Sequence, residues 1–395
     1  MQPTIKEMWA PEYLKAQDDS STAMDTKHLY TNIRFTSFYN EDRIKYGIYD
    51  HFPIATACDF SKGSGVGSTQ IIAGASNDGS VYTARLSGYH RIDNFNGYEN
   101  GPHHHRAAVF DVRWSPQDDF LALATAGREA FILDVRSGLT IAELRGHSGS
   151  QKAIRWCPKK SYLLCTSSRD GSIRVWDVRQ RTNVELGSCF YLSAAHTTPN
   201  SATSSIPVTD VVFSGDSTIF SGSCRNSYDR SIIKSWDLRQ IKRDGDGGAQ
   251  CQIQSPFEPC QMTVRSRGVA SMIETGDGNL LVMARDSSIY QYARNTLSPT
   301  GVVFSDSLLR VNSPYASMSL SPCGRWIAAG GVYGVVVVFN VEMIGTAGGQ
   351  SRRPKPVCLE ARHGEINGIT WSRSAVATAA DDGTLRLWRI DGRQE

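Results

Sequence analysis

The apolar and polar positions of this chain recur in units of three short strands separated by turns. The clearest units are 146–177 and 362–388, and each begins near a histidine. In both units, two apolar strands precede an Asp-Gly turn, and a third strand then carries Trp176 or Trp388 near its end. Short apolar runs bounded by turn residues are typical of β-strands rather than helices. The pattern therefore predicts an all-β protein.

Five further stretches repeat this order of strands and turns less clearly. They are 54–86, 107–136, 208–239, 269–292 and 316–340. Two polar inserts rich in Ser, Thr, Gly or Pro, at 194–207 and 242–260, lengthen the spacing between units, and we expect them to be loops. Units of this length resemble WD repeats, each of which forms one blade of a propeller. Seven units predict a seven-bladed WD40 β-propeller with a short N-terminal extension.

The domain organisation follows from where the units begin. We expect residues 51–395 to form the propeller and residues 1–50 to form the extension. The last unit has three strands and no fourth in this sequence, whereas the strand-like segments 31–39 and 44–50 belong to no unit. A strand from the other end of the chain would cover the open edge of the last blade. We therefore predict that part of the extension closes that blade.

Two units contain the polar residues of a WD-repeat tetrad. In such repeats a histidine, a serine or threonine, an aspartate and a tryptophan form hydrogen bonds within one blade. The first set is His147, Thr166, Asp170 and Trp176, and the second is His363, Thr378, Asp382 and Trp388. Buried polar groups need partners, and this arrangement supplies them inside the blade. We interpret both sets as structural rather than catalytic.

Composition and motifs exclude several other classes of protein. The formal net charge is only +3, and the nine cysteines form no CxxC pair, which favours reduced thiols in the cytosol or nucleus. No apolar run is long enough for a membrane helix, and the N-terminus does not resemble a secretory signal. Phosphate-loop, nucleophile-elbow and zinc-protease motifs are missing. We predict a binding platform that is not an enzyme and has no cofactor, metal site or small-molecule ligand.

Arginine recurs just after the third strand of three units. The segments are Trp176–Arg179, Trp236–Arg239 and the weaker Leu133–Arg136. Packing does not demand an arginine two positions beyond the aspartate, and the turn lies on the wide bottom face of the predicted ring. A guanidinium can bind carboxylates or carbonyls at an interface. The sequence leaves two interpretations open, docking of a partner protein and ion pairs between blades.

The opposite, top face carries a second set of candidates. In this fold, the residue before the core of each first strand and the residue before the tight-turn aspartate point towards the narrow opening. The candidates for binding a peptide at these positions are Phe110, Lys152, Arg169, Tyr228, Arg285 and Asp381.

The order of the motifs resembles one family in particular. HRAAVFDVRWSP, SSRDGSIRVWDVR, a long polar insert before VTDVVF, IIKSWDLRQ and DDGTLRLWRI follow one another between about residues 52 and 391. Each motif is common among WD repeats, but their order and the placement of the insert are similar to those of the denticleless family. Members of that family are substrate receptors of cullin-4 RING ubiquitin ligases.

The resemblance implies a function, partners and a location. Such receptors dock on the UV-damaged-DNA-binding adaptor of the ligase through WDxR motifs, which here correspond to Asp177, Arg179, Asp237 and Arg239. They present replication and cell-cycle proteins that are bound to the sliding clamp, and the top face recognises the substrate. We therefore expect a nuclear protein, with the cytoplasm as a second location. The alternative is a WD40 scaffold subunit of a chromatin or other nuclear complex. The substrate, its degron and its regulation stay open.

Overall fold

The structure is a computed structural model in which the following parts of the chain are described: residues 33–34, 54–63, 70–87, 91–97, 107–180, 185–198, 201–223, 232–240, 253–254, 268–341, 356–360, 364–373 and 375–389. The regular elements among them are β-strands and three short 3-10 turns at Val178–Gln180, Leu238–Gln240 and Val332–Gly334. No helix in this part of the chain is long and apolar enough to cross a membrane.

Seven antiparallel sheets form the blades, as the repeats predict. Blades 1 and 2 contain β2 to β9: Ala55–Phe60, Ile71–Ser76, Val81–Ser87, Arg91–Gly97, Val109–Trp114, Phe120–Thr125, Glu129–Asp134 and Thr140–Arg145. Blade 3 contains β10, β11, β12 and β14: Gln151–Trp156, Leu163–Ser168, Ile173–Asp177 and Phe190–Leu192. Blade 4 contains β17 to β20: Val208–Ser214, Thr218–Ser223, Ile233–Asp237 and Ile253–Gln254.

The remaining blades have the same organisation. Blade 5 contains β21 to β24: Val269–Glu274, Leu280–Ala284, Ser288–Tyr292 and Pro299–Ser305. Blade 6 contains β25 to β28: Met318–Leu320, Trp326–Gly330, Val335–Asn340 and Val357–Glu360. Blade 7 contains β29 to β31, at Ile366–Trp371, Ala375–Ala380 and Leu385–Arg389, and β1, at Ile33–Arg34.

Apolar packing between neighbouring blades closes the ring. Each of seven clusters of buried side chains contains residues from two adjacent blades, and together they account for all seven blade-to-blade contacts. The cluster between blades 7 and 1, for example, joins Leu385 and Leu387 to Phe60 and Ile72. A four-stranded blade cannot bury both of its faces alone, so stacking around an axis is what removes this apolar surface from water.

Two strands pair with a blade that is formed by another part of the chain. β1 pairs antiparallel with β31, with Ile33 opposite Leu387, and lies within the segment 31–39 expected to supply a closing strand. The other expected segment, 44–50, lies outside the described residues. The strand β13, Glu185–Leu186, leaves blade 3 and pairs in parallel with β9 at the outer edge of blade 2. This pairing was not expected from the sequence.

The insert 194–207 is more ordered than its composition predicts. Thr197–Thr198 (β15) pairs with Ser201–Ser205 (β16) in a small hairpin above blades 3 and 4. Threonine favours strands when it has a partner to pair with, and the two ends of the hairpin are fixed. Ala195 N donates to Gly171 O at 2.9 Å, and Ser205 Oγ donates to Asp170 O at 2.9 Å.

Candidate functional site

The two open faces of the ring have different origins in the chain. The bottom face consists of the turns between the first and second strands and between the third and fourth strands of each blade. The top face consists of the turns between second and third strands and of the connections between blades. The arginines singled out by the sequence lie on the bottom face, and the described candidates for peptide binding lie on the top face and at the mouth of the central channel.

On the bottom of blade 3, Asp177 holds Arg179 in a bidentate ion pair. Nε of Arg179 donates to Oδ1 of Asp177 at 3.0 Å, and Nη2 donates to Oδ2 at 2.7 Å. The guanidinium carbon lies 3.4 Å from the centroid of the Tyr162 ring. The aspartate side chain is 5% exposed, whereas that of the arginine is 61% exposed. The guanidinium is therefore fixed at its inner edge and open to solvent at its outer edge.

Blade 4 repeats this arrangement. Nε of Arg239 donates to Oδ1 of Asp237 at 2.9 Å, Nη2 donates to Oδ2 at 2.6 Å, and the arginine side chain is 75% exposed. The hydrogen bond with the carboxylate raises the pKa of each arginine. In both turns the residue between the aspartate and the arginine is also held by its backbone N–H. Val178 N donates to Tyr162 O at 2.9 Å, and Leu238 N donates to Ser217 O at 2.7 Å. Both arginines thus pair within their own turn and not with a neighbouring blade.

The third, weaker motif differs. Oδ1 of Asp134 accepts the backbone N–H groups of Arg136 and Ser137, at 2.8 and 2.9 Å, and these bonds hold the pKa of the aspartate below its usual value. The Arg136 guanidinium pairs instead with Asp119, at 3.3 Å, and its side chain is 87% exposed. The sequence marks this motif as the weaker one, because a leucine, Leu133, stands where the other two motifs have a tryptophan.

The first predicted tetrad forms a complete hydrogen-bonded set. Nε2 of His147 lies 2.7 Å from Oγ1 of Thr166, and Nδ1 lies 3.2 Å from Oδ2 of Asp170. The indole N–H of Trp176 donates to Thr166 Oγ1 at 2.9 Å. Burial lowers the pKa of His147. Although burial opposes it, hydrogen bonds from His147 and Ser172 hold the pKa of Asp170 far below its usual value.

Three residues of the second predicted tetrad and three residues of an unexpected third set are also described. Nε1 of Trp388 donates to Thr378 Oγ1 at 3.4 Å, and Asp382 caps the adjacent turn, while His363 lies outside the described residues. In blade 4, Oγ of Ser221 lies 2.8 Å from both the His196 and the Trp236 ring nitrogens. Sequence reasoning missed this set because the hairpin separates His196 from its strand. The Ala-Ala-His at the start of the insert, residues 194–196, was the available signal.

The top-face candidates do not form one cluster. Phe110 and Lys152 line the top of the central cavity together with Asn367 and Tyr315. Lys152 Nζ donates to Ala270 O at 2.7 Å, which links blade 3 to blade 5 across the channel.

The other described candidates lie outside the lining of this cavity, and one of them, Asp381, contacts the lining residue Asn367. Arg169 is exposed in the turn of blade 3, Arg285 donates to Asn312 O at 3.2 Å, and Asp381 accepts from Asn367 at 2.7 Å. None of these three lines the described cavity. Tyr228 lies outside the described residues. The three cations that we expected at one mouth are therefore distributed between the cavity and two separate turns.

Tyr315 is the top-face residue that the sequence did not predict. Its ring packs against that of Phe110 with the centroids 5.0 Å apart and the planes tilted by 35°, and the residue is 42% exposed. Tyr315 belongs to the connection between blades 5 and 6 and Phe110 to blade 2, so the contact crosses the mouth of the channel. Aromatic contacts at this centroid distance are favourable. The pair forms an apolar cover over the polar wall of the channel.

Below this cover, an ion-pair network lines the channel. Arg155 pairs with Asp111 and, at 2.9 Å, with Asp210, and Arg113 Nε lies 2.9 Å from Asp111. The pKa of Arg155 is raised because these carboxylates outweigh its burial. The same carboxylates accept backbone N–H groups of the next blade, at 3.1 Å from Ile154 and 2.8 Å from Met272. The network ties neighbouring blades together. Among the described residues, no group of three or more His, Cys, Asp or Glu could hold a metal ion. The sequence also contains three consecutive histidines, His103–His105, which lie outside the described residues.

The chain is a seven-bladed β-propeller that contains WD40 repeats. The family model described as WD domain, G-beta repeat, matches residues 138–177 and 356–389, which include the two clearest repeats.

Its similarity to denticleless proteins, expected from the order of its motifs, is confirmed. It is 28% identical to Denticleless protein homolog of Homo sapiens over 316 residues, covering 73% of this chain and 40% of that protein. It is 26% identical to Denticleless protein homolog B of Xenopus laevis over 396 residues, covering 90% and 50%. It is 28% identical to Cell division cycle protein cdt2 of Schizosaccharomyces pombe over 309 residues, covering 72% and 58%. The chain thus spans roughly half the length of these relatives.

Proposed function

We propose that this protein is a substrate-recognition subunit of a cullin-4 RING ubiquitin ligase. In this proposal its bottom face docks on the UV-damaged-DNA-binding adaptor of the ligase, and its top face binds substrates held on the sliding clamp. The ligase then ubiquitinates these replication and cell-cycle proteins, and the protein acts in the nucleus. The similarity to denticleless proteins supports the role, and the geometry of two arginines supports the docking face.

The observation that carries the proposal is that Arg179 and Arg239, on adjacent blades, are both held by their own aspartate and both exposed on the bottom face. A guanidinium has five N–H donors in a fixed plane. In both turns the aspartate uses Nε and one hydrogen of Nη2, which leaves the other donors on the exposed side. Since the side chain is already ordered, little rotamer entropy remains to be lost on binding. Two such groups suit acceptors on a partner protein.

The test is binding of the purified adaptor to the full chain carrying Arg179→Ala and Arg239→Ala. Each substitution should weaken binding on the order of 30-fold, as for an interface arginine at a hot spot. The matched control is Arg294→Ala. Arg294 is an exposed arginine in the corresponding turn of blade 5, where it lies 3.5 Å from Glu274. We expect this variant to bind like the wild type.

The melting temperatures decide how a loss of binding is interpreted. Both arginines are exposed, so the double variant should melt within a few degrees of the wild type. If the double variant binds the adaptor as tightly as the wild type, the docking proposal is wrong. A WD40 scaffold of a different nuclear complex would then account better for this protein.

A further inference from the structure

The bottom face carries an exposed apolar side chain on blade 2. The large hydrophobic side chains that are exposed among the described residues are Leu139, Leu308, Tyr315 and Tyr333. The last three lie on the top face, in the connection between blades 5 and 6 or in the second turn of blade 6. Leu139 alone lies on the bottom, in the turn between β8 and β9, and it is 55% exposed.

The turn that presents Leu139 is held by its own hydrogen bonds. Asp134 N donates to Leu139 O at 2.9 Å, and Gly138 N donates to Asp134 O at 2.8 Å. Gly138 adopts a φ of 70°, which glycine accepts without strain. The carboxylate of Asp134 also binds two backbone N–H groups of the turn. Leu139 is therefore a fixed apolar projection rather than the tip of a loose loop.

This projection is continuous with the turn that carries Arg179. Val178, the residue before Arg179, packs in the same apolar cluster as Phe120 and Ile141 of blade 2. Ile141 is two residues from Leu139 on the chain. The chain that leaves the Arg179 turn then pairs in parallel with β9, the strand that begins directly after Leu139, with Glu185 opposite Glu143. The Leu139 turn and the Arg179 turn thus share one corner of the bottom face.

We infer that Leu139 is an apolar anchor of the docking surface, next to the arginines of blades 3 and 4. This inference rests on the proposed function, since it assigns the same partner to all three turns. Protein interfaces combine an apolar centre with polar contacts around it. Arginines supply the polar contacts, and on the described part of the bottom face Leu139 is the large side chain available for the apolar contact. The partner then has an apolar pocket beside hydrogen-bond acceptors.

The experiment measures the affinity of the full chain for the purified adaptor in three leucine variants. Leu139→Ser should weaken binding about ten-fold, the loss expected when a partly exposed leucine no longer buries its remaining surface. Leu139→Met keeps an apolar side chain of similar size and should bind like the wild type. Leu308→Ser is the matched control, because Leu308 is a similarly exposed leucine, at 45%, on the opposite face.

The outcomes separate this inference from the proposed function. If Leu139→Ser binds the adaptor within two-fold of the wild type while the arginine double variant does not bind, the inference about Leu139 is wrong and the proposal that the bottom face docks on the adaptor is retained. If neither variant changes binding, the docking proposal fails and the inference fails with it. Equal losses for Leu139→Ser and Leu308→Ser would indicate a general effect on the fold and would also overturn the inference.

Discussion

Replacing Thr166 by valine should destabilise the propeller by about 2–4 kcal/mol. The hydroxyl of Thr166 is completely buried and serves both the ring of His147 and the indole N–H of Trp176, at 2.7 and 2.9 Å. Valine has nearly the same shape, so the substitution leaves no large cavity. It leaves two buried polar groups without this partner, and each such group costs roughly 1–3 kcal/mol. The two costs overlap, since His147 keeps its contacts with Asp170 and Ser172.

The free energy of unfolding measured by urea titration tests this value, provided that fluorescence and circular dichroism give coincident transitions. Thr378→Val is the comparison within the same chain. Its hydroxyl accepts the indole of Trp388 at the longer distance of 3.4 Å, so we expect a smaller loss of about 1 kcal/mol. A Thr166→Val variant within about 0.5 kcal/mol of the wild type would refute the view that the tetrad stabilises the blade through its hydrogen bonds.

Three further predictions concern the chain end, the top face and pH. Deleting residues 1–50 removes the strand that pairs with β31, so the variant should expose a sheet edge and aggregate in light scattering; a monomer with an unchanged melting temperature would contradict this. The double variant Lys152→Glu, Arg169→Glu should block ubiquitination of a clamp-loaded substrate in a reconstituted ligase while its binding to the adaptor is unchanged. Lys152→Met is the control, because it removes the hydrogen bond to Ala270 O without adding a negative charge. Because burial lowers the pKa of His147, the unfolded state binds more protons than the folded state near pH 6. The stability of the protein should therefore fall as the pH decreases below the ordinary histidine pKa of about 6.5. The melting temperatures of the wild type and of His147→Gln should converge as the pH decreases, and parallel curves would count against this.

The blades could be predicted from the sequence because their information is local. A unit such as 146–177 contains three strands, an Asp-Gly turn and the polar tetrad within about thirty residues. The hydrogen bond from the third-strand tryptophan to the second-strand threonine joins residues ten positions apart in both clear units, Trp176 with Thr166 and Trp388 with Thr378. Repetition then amplifies a weak signal, so the blade count is recoverable even though several units lack part of the pattern.

The channel and the top face could not be predicted in the same way. The position of Lys152 depends on a bulge between Gln151 and Ala153, which shifts the register of the first strand. Equivalent register shifts occur in other blades, at Val109/Asp111 and Ile366/Gly368. The contacts that follow, Lys152 with Ala270 and Phe110 with Tyr315, join residues that no local pattern relates. They exist only once the ring has closed.

The tetrad and the exposed arginine are linked through the chain itself. Trp176 is completely buried, with its indole bound to Thr166, and Asp177 follows it directly. The buried tryptophan therefore fixes the backbone of Asp177, whose carboxylate binds Arg179.

Blade 4 has the same sequence of contacts, with Trp236 bound to Ser221 and Asp237 holding Arg239. In blade 2 a leucine, Leu133, replaces the tryptophan, and Arg136 pairs with Asp119 instead. In these three blades, a tryptophan before the aspartate accompanies an arginine that its own aspartate orients. Because an exposed ion pair contributes little by itself, the orientation of the arginine depends mainly on how well the aspartate is fixed. Arg179 and Arg239 should therefore contribute similarly to binding, and Arg136→Ala should weaken it less than either.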